Sequence, residues 1–289
     1  MAVKHQQAIQ LENGASIYLP PYSALTGSEK GNVAIPDVYT LNTVQQYALG
    51  TIYREGLRTF IYTLIAQQGY TLINCYGGYF VKTNATLKDL SNSLITGVAG
   101  ASEITLNYAT TCAVNKYAGG LMGIKGGSDG VRGSRYIISN TVQDASNYVT
   151  FTIDGTLPSA LTSGDDFSLI ENPYASVRAY TNEVAGTYEE NAMYVGGIVV
   201  PKMTDARYMW VQTWGPFFMI GIQNSFEGDA PPQQGVCAYH GAGNRHPSQA
   251  DAVALGGMYT GALQQVGYAL PHQEAASTIG EMIFLTIHP

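Results

Sequence analysis

The stretch VNKYAGGLMGIKGGSDGVRGSRYIISN at 114–140, followed by YVTFTIDGTLPSALTSGDDFSLIENPY at 148–174, decides the fold class. Its apolar runs are short, rich in Val, Ile, Phe, Tyr and Thr, and each stops at Gly, Asn, Asp or Pro, residues that turn a chain rather than continue it. Runs of this length without a 3.6-residue period predict a β meander over 111–180. The glycines of GGSDG at 126–130 read as a hairpin that needs positive φ. They lack the Lys-Ser/Thr ending of a phosphate loop and lead into a strand, not into a helix N-terminus that could hold an anion. The carboxylate pair in GDD at 164–166 has no partner carboxylates or basic channel for metal-dependent polymerase chemistry, and it too reads as a hairpin turn.

Outward from this centre the pattern stays β-like. On the N-terminal side, LGTIY at 49–53 and TFIYTLI at 59–65 flank a turn at Glu55-Gly56. On the C-terminal side, YMWVQTWGP at 208–216 carries both tryptophans at i and i+4, so they point to the same face of a strand. Trp210, Trp214 and Tyr208, with Phe60 and Tyr62 of the earlier strand, are therefore the candidate structural or interface residues. Both indole rings are expected to be buried, because they are the larger apolar payload of that strand. The one helix-like segment is TLKDLSNSL at 86–94, where Leu87, Leu90 and Leu94 fall on one helical face and Asn84 or Thr83 stands at the cap position.

The expected organisation is an all-β chain of several small antiparallel barrel or sandwich units, with at most one or two short helices. Residues 1–35, rich in Gln, Asn, Ser, Gly and Pro, read as an extended arm. Residues 36–110 form a first β unit with the short helix near 86–94. The meander occupies 111–180, and a polar stretch at 181–193 leads into a C-terminal β unit within 181–289. There is no clean internal repeat.

The succession KYAGG (116–120), RYIISN (135–140) and LIENPY (169–174) resembles virion structural proteins of tailed bacteriophages, of the capsid-decoration or head-associated type. Leu49, Gly50 and Thr51, then Arg58, Phe60 and Tyr62, match strands of the same family, as do WVQTWG at 210–215, VGYAL at 266–270 and the run at 279–288. The resemblance implies a non-enzymatic decoration (cement) protein on the outer capsid surface. It would be made in the bacterial cytoplasm, with the major capsid protein and further copies of itself, as a homotrimer, for partners. Another virion component, such as a tail, fibre or major capsid protein, is the second reading. A β-rich carbohydrate-binding module or lyase with an aromatic sugar platform is the third.

Composition fits permanent contact with other subunits, and it fits equally an ordinary β protein whose tyrosines pack on sheet faces. Hydrophobic residues make up 45% of the 289 residues and charged ones 12%, against roughly 25% charged in ordinary soluble domains. The surface must then be mostly neutral polar groups and some of the 21 tyrosines, whose stiff rings with polar tips are favoured at interfaces. With 14 basic and 21 acidic residues the net charge is −7, and the dispersed Lys and Arg argue against nucleic acid as partner. No segment approaches the ~20 apolar residues of a membrane span, and the first residues lack a signal-peptide pattern.

Catalytic and cofactor signals are not found. Cys75, Cys112 and Cys237 show no disulfide spacing. Cys237, His240 and His246 form a C-x2-H-x5-H run, but a tetrahedral zinc site needs a fourth ligand and the nearest further candidate is His272. No Gly-x-Ser-x-Gly occurs, and none of His5, His240, His246, His272 and His288 sits in a recognisable catalytic context. The expectation is no cofactor, no metal and no small-molecule substrate.

Overall fold

The computed structural model describes residues 7–20, 35–65, 79–83, 87–91, 93–126, 130–175, 177–179, 195–199, 207–219, 236–238, 245–246, 265–269 and 281–287. Among them are nineteen strands and no helix, so the all-β reading holds. The strands form two sheets, and the smaller one is built from residues between 87 and 170.

That sheet has seven strands: β6 (Leu87–Leu90), β7 (Leu94–Thr96), β8 (Glu103–Asn107), β9 (Leu121–Gly126), β10 (Gly130–Asn140), β11 (Tyr148–Ile153) and β12 (Asp166–Ile170). They lie in the order β6-β12-β9-β10-β11-β8-β7. Residues of β9, β11 and β12 alternate between buried and part-exposed, the period-2 signature of a sheet with one covered face. The covered side chains, among them Ile104, Leu106, Met122, Ile137, Val149, Phe151, Phe167 and Leu169, make one core. Each such side chain contributes about 1.5–3 kcal/mol on burial.

One long strand turns the corner of this unit. The first half of β10 pairs with β9 and its last residues pair with β11, with register shifts between Val131 and Gly133 and between Ile137 and Ser139. Bulges of this kind bend a strand and let it pass from one sheet layer to the next. Gly133, at φ 100°, supplies the left-handed backbone that the first shift needs. The opposite corner is the short link from β6 to β7, the two edge strands. Leu90 and Leu94 are four residues apart and thus no more than about 14 Å from each other, so the sheet rolls around its core.

The expected helix at 86–94 is therefore replaced by β6, the link and β7. Leu90 is buried in the same core, and β6 pairs with β12 from Phe167↔Leu90 to Ile170↔Leu87. A nine-residue segment has little helical stability of its own, since isolated helices shorter than about 12–15 residues are marginal. The ladder of β12 decides the matter.

The larger sheet is discontinuous in sequence. It contains β1 (Gln7–Gln10), β2 (Ser16–Leu19), β3 (Ile52–Glu55), β4 (Arg58–Ile65), β5 (Tyr79–Thr83), β13 (Val177–Ala179), β14 (Val195–Val199), β15 (Arg207–Met219), β16 (Val236–Ala238), β17 (Arg245–His246), β18 (Gln265–Ala269) and β19 (Glu281–Thr286). The order is β1-β2-β3-β4-β13-β5-β14-β15-β19-β18-β16-β17, and an added pairing of β4 with β15 closes β4, β13, β5, β14 and β15 into a ring. The seven-stranded unit, 87–170, is thus an insertion between β5 and β13. This corrects the expected boundaries at 110, 111 and 180, which assumed that units follow one another along the chain.

The arm expected over 1–35 is also corrected in part. β1 and β2 pair antiparallel, β2 pairs with β3, and Leu11, Ala15, Ile17 and Leu19 are buried. Asn13-Gly14 makes the turn. The Gly14 N–H donates to the Leu11 carbonyl, the Leu11 N–H donates to the Ala15 carbonyl and Gly14 sits at φ 80°, the geometry of a three-residue hairpin loop ending in a glycine bulge. The alternation of Ile9 and Leu11 with Ala15, Ile17 and Leu19 across that turn gives the segment an apolar face, so it folds back onto the sheet. Residues 1–6 and 21–34 lie outside the described residues, as does the polar stretch expected at 181–193.

Candidate functional site

The candidate residues sit on β4 and β15, the most extensively paired strands of the larger sheet. Both are buried on two faces. On one face Phe60, Tyr62 and Trp210 join Leu11, Ile17, Leu19, Val38 and Tyr53. On the other, Ile61 and Ile65 meet Val177, Met209 and Val211. The runs FIYTLI and YMWVQT lack strict hydrophobic alternation, as strands covered on both sides do.

Trp210 is the hub of the first cluster. Its ring centroid lies 5.1 Å from Tyr47, 5.8 Å from Tyr53 and 5.1 Å from Tyr62, all tilted. Tyr62 stacks on Tyr208 at 6.2 Å, and Tyr53 stacks on Phe60 at 6.0 Å. Such pairs add about 0.5–1.5 kcal/mol each beyond their burial. The phenol tips find partners at the rim: Gln46 N–H donates to the Tyr62 hydroxyl at 3.1 Å, and Asn13 Nδ2 approaches the Tyr53 hydroxyl at 3.5 Å. Burial pushes the Tyr47, Tyr53 and Tyr62 phenols above their ordinary pKa, because desolvation disfavours the phenolate.

Trp214 does not share this face. The β15–β4 register runs Trp210↔Tyr62, Val211↔Ile61, Gln212↔Phe60 and then Trp214↔Thr59. Thr213 is the extra residue of a bulge, and it inverts the alternation that follows. Trp214 therefore projects opposite to Trp210, is only half-buried, and meets Phe284 edge-on at 5.6 Å. Gly215 follows at φ 92°, and a Cβ there would collide with the Leu57 carbonyl. The expectation of one face carrying two buried indoles is corrected. Trp210 is 1% exposed, and the two rings make no common platform. Of the five candidates, Phe60, Tyr62 and Trp210 are core residues, while Tyr208 and Trp214 reach the surface in part.

Three of the segments that carry the sequence resemblance, KYAGG, RYIISN and LIENPY, converge on a second place, the joint between the sheets. Asn140 of RYIISN is buried and saturated: its Oδ1 accepts from the Tyr117 N–H at 2.9 Å, and its Nδ2 donates to the Ala113 and Thr141 carbonyls at 2.9 and 2.8 Å. Tyr117 and Tyr108 share a hydroxyl–hydroxyl bond of 2.6 Å within the core, and burial raises the Tyr117 phenol far above its usual range. Lys116 of KYAGG pairs with Glu171 of LIENPY at 3.4 Å. Asn172 then bridges to the other sheet, donating to the Leu49 carbonyl at 3.2 Å, and the Leu64 N–H donates to the Tyr174 carbonyl at 2.9 Å. Gly120 is required by packing, since a Cβ would run into the Ile170 carbonyl. These motifs build architecture.

Exposed apolar side chains occur on both units, with Ile95, Val98, Val114, Tyr136 and Val142 on the smaller one and a second group beside the larger sheet. Ile35, Tyr39, Val44 and Leu57 are 50%, 58%, 65% and 70% exposed, on the strap 35–50 and at the β3–β4 turn. Arg58 ties the two together: it pairs with Glu55 at 2.6 Å and donates to the Tyr39 hydroxyl at 3.2 Å. Sequence reasoning missed these residues because a loop Val or Leu carries no periodic signal.

No group of three or more His, Cys, Asp or Glu side chains is arranged to hold a metal ion among the described residues. The β16–β17 ladder sets Cys237 opposite His246, while His240 and His272 lie outside the described residues. Among the described residues no helix is long and apolar enough to cross a membrane. Comparison with protein-family models, with curated proteins and with solved structures yields no match.

Proposed function

We propose that the chain is a non-enzymatic virion structural protein of a tailed bacteriophage that decorates the outer capsid surface and cements it, binding the major capsid protein and its own copies as a homotrimer. The observation that carries this reading is the surface of the larger sheet. Large apolar side chains stand exposed along the strap and the β3–β4 turn, in a chain with only 12% charged residues. Exposed apolar groups in a chain poor in surface charge suit a face seated permanently on a neighbour. A cement protein adds binding free energy across joints between capsid subunits and thereby opposes internal pressure.

A different virion position, in tail, fibre or the capsid shell itself, uses the same surface and is the second reading. The carbohydrate reading loses its best support, because a sugar platform needs coplanar exposed rings and Trp210 is enclosed by Tyr47, Tyr53 and Tyr62. The test is electron microscopy of virions from the phage that encodes the chain, labelled with an antibody to it. Label over the outer capsid surface supports the proposal. Label on the tail moves the chain to the second reading, and unlabelled virions overturn both.

A further inference from the structure

The free edge of the larger sheet has a geometry that fits one particular partner. Among the described residues β1 has a single neighbour, β2, and stands at the end of the sheet order. The Leu11 N–H donates to the Ala15 carbonyl, and the register continues as Gln10↔Ser16, Ile9↔Ile17, Ala8↔Tyr18 and Gln7↔Leu19. Hydrogen-bonded and non-hydrogen-bonded pairs alternate along an antiparallel ladder. Leu11, Ile9 and Gln7 therefore turn their backbone groups toward β2, and Ala8 and Gln10 turn theirs outward.

Edge strands are ordinarily guarded by Lys, Pro, a bulge or shortness; β1, Gln-Ala-Ile-Gln, is short but carries no Lys, Pro or bulge. The Gln10 side chain is held back on its own hairpin, donating to the Gly14 carbonyl at 2.8 Å and accepting from Ser16 Oγ at 2.9 Å. Ile9 packs against the aromatic core yet is only half-buried.

We propose that β1 is a self-complementary edge to which β1 of a second copy of this chain adds antiparallel, with Ile9 on the two-fold axis. In that register Ala8 faces Gln10 of the other copy and Gln10 faces its Ala8, so all four outward N–H and C=O groups on each strand are paired. No charge opposes another. The two Ile9 residues form a non-hydrogen-bonded pair on the core side of the joined sheet, extending the apolar cluster across the dyad. An isologous contact of this kind closes on itself. It stands independently of the capsid reading.

The position of each backbone group makes the test specific. Ala8→Pro removes an N–H that the β1–β2 ladder does not use, so the subunit keeps its fold while the edge loses a donor. Sedimentation of the full chain should show the A8P species at half the wild-type mass. Ile9→Cys supplies a second, independent reading. Non-hydrogen-bonded pairs have Cα atoms about 4.5 Å apart, inside the range a disulfide spans, so I9C should run as a covalent dimer without reductant and the wild-type chain should not. Should A8P unfold, Ile9→Lys keeps every backbone donor, sets two ammonium groups together at the dyad, and should likewise halve the mass. Equal masses for wild type and a folded edge variant, or an I9C chain that stays monomeric under oxidising conditions, would overturn the proposal.

Discussion

Replacing each tryptophan in turn by alanine tests the bulge in β15, because the fold assigns the two rings opposite fates. Trp210 is enclosed by three tyrosine rings within 6 Å. Truncating it removes a fully buried indole and leaves a cavity that β-sheet backbone on both sides cannot close, so Trp210→Ala should cost about 3–5 kcal/mol. Trp214 is half-buried against Phe284, and with half the area at stake Trp214→Ala should cost about 2 kcal/mol. At about 2–4 °C per kcal/mol for a chain of this size, W210A should melt roughly 6–20 °C below wild type and W214A roughly 4–8 °C below. Each variant also leaves one tryptophan as a reporter. The W214A chain should keep a blue-shifted emission resistant to acrylamide, and the W210A chain should emit to the red and be quenched. Equal melting losses together with equal quenching would place both rings on one face and refute the bulge.

Three further outcomes follow from the geometry. Asn140→Ala strands the buried Tyr117 N–H and removes the donor to the part-exposed Ala113 and Thr141 carbonyls, and at about 1–3 kcal/mol for the one group left unsatisfied in the core it should lower the denaturation midpoint more than Asn13→Ala on the exposed hairpin turn; equal losses would argue against the buried network. Gly215→Ala combines a left-handed φ with a collision at the Leu57 carbonyl, whereas Gly14→Ala meets open space at a similar φ; G14A should cost about 1–2 kcal/mol, and G215A should cost clearly more by urea titration or the close approach of β15 to the β3–β4 turn is wrong. Tyr47, Tyr53 and Tyr62 have folded-state pKa values raised above the ordinary phenol value of 10.0. Above that pH the unfolded chain holds fewer protons than the folded one, so their stabilisation is complete below it and is lost as pH rises toward the folded values. Melting temperature should fall through that window, and phenolate absorbance from these rings should appear with unfolding; a fully reversible titration of every tyrosine without loss of structure would contradict their burial.

How far the sequence could be read depended on whether a residue's role was set by its immediate neighbours. The meander was legible because turn residues act locally: GGSDG, DGTLP and SGDD each interrupt a β run, and the apolar residues between them alternate into the core. The hairpin at 7–19 carried the same signals, with Asn13-Gly14 between alternating apolar residues, but the surrounding Gln, Ser and Pro content outweighed them. Leu87, Leu90 and Leu94 fit a helical face as well as they fit two strands. The strand state of Leu87 and Leu90 is imposed by β12, which lies far along the chain at 166–170, and that of Leu94 by β8; no local rule contains the first pairing. The insertion of 87–170 between strands of the other sheet was hidden for the same reason.

Trp214 shows the limit most sharply. Period-2 alternation places residues i and i+4 on one face only if every intervening residue is paired one-to-one, and a single extra residue, Thr213, breaks that condition. The bulge is fixed by what lies across the strand. Gln212 bends back to donate to the Trp214 and Pro216 carbonyls at 3.1 and 2.9 Å, Gly215 lets β15 pass close to Leu57, and the far half of the strand then leaves β4 and takes β19 as its partner. The sequence Gln-Thr-Trp-Gly-Pro contains each of these parts, since Gly permits the left-handed turn and Pro tolerates a place without an N–H donor. A Gly-Pro at the end of an aromatic strand is a reason to expect the alternation to invert there, and an inversion at that point separates a core tryptophan from a surface one.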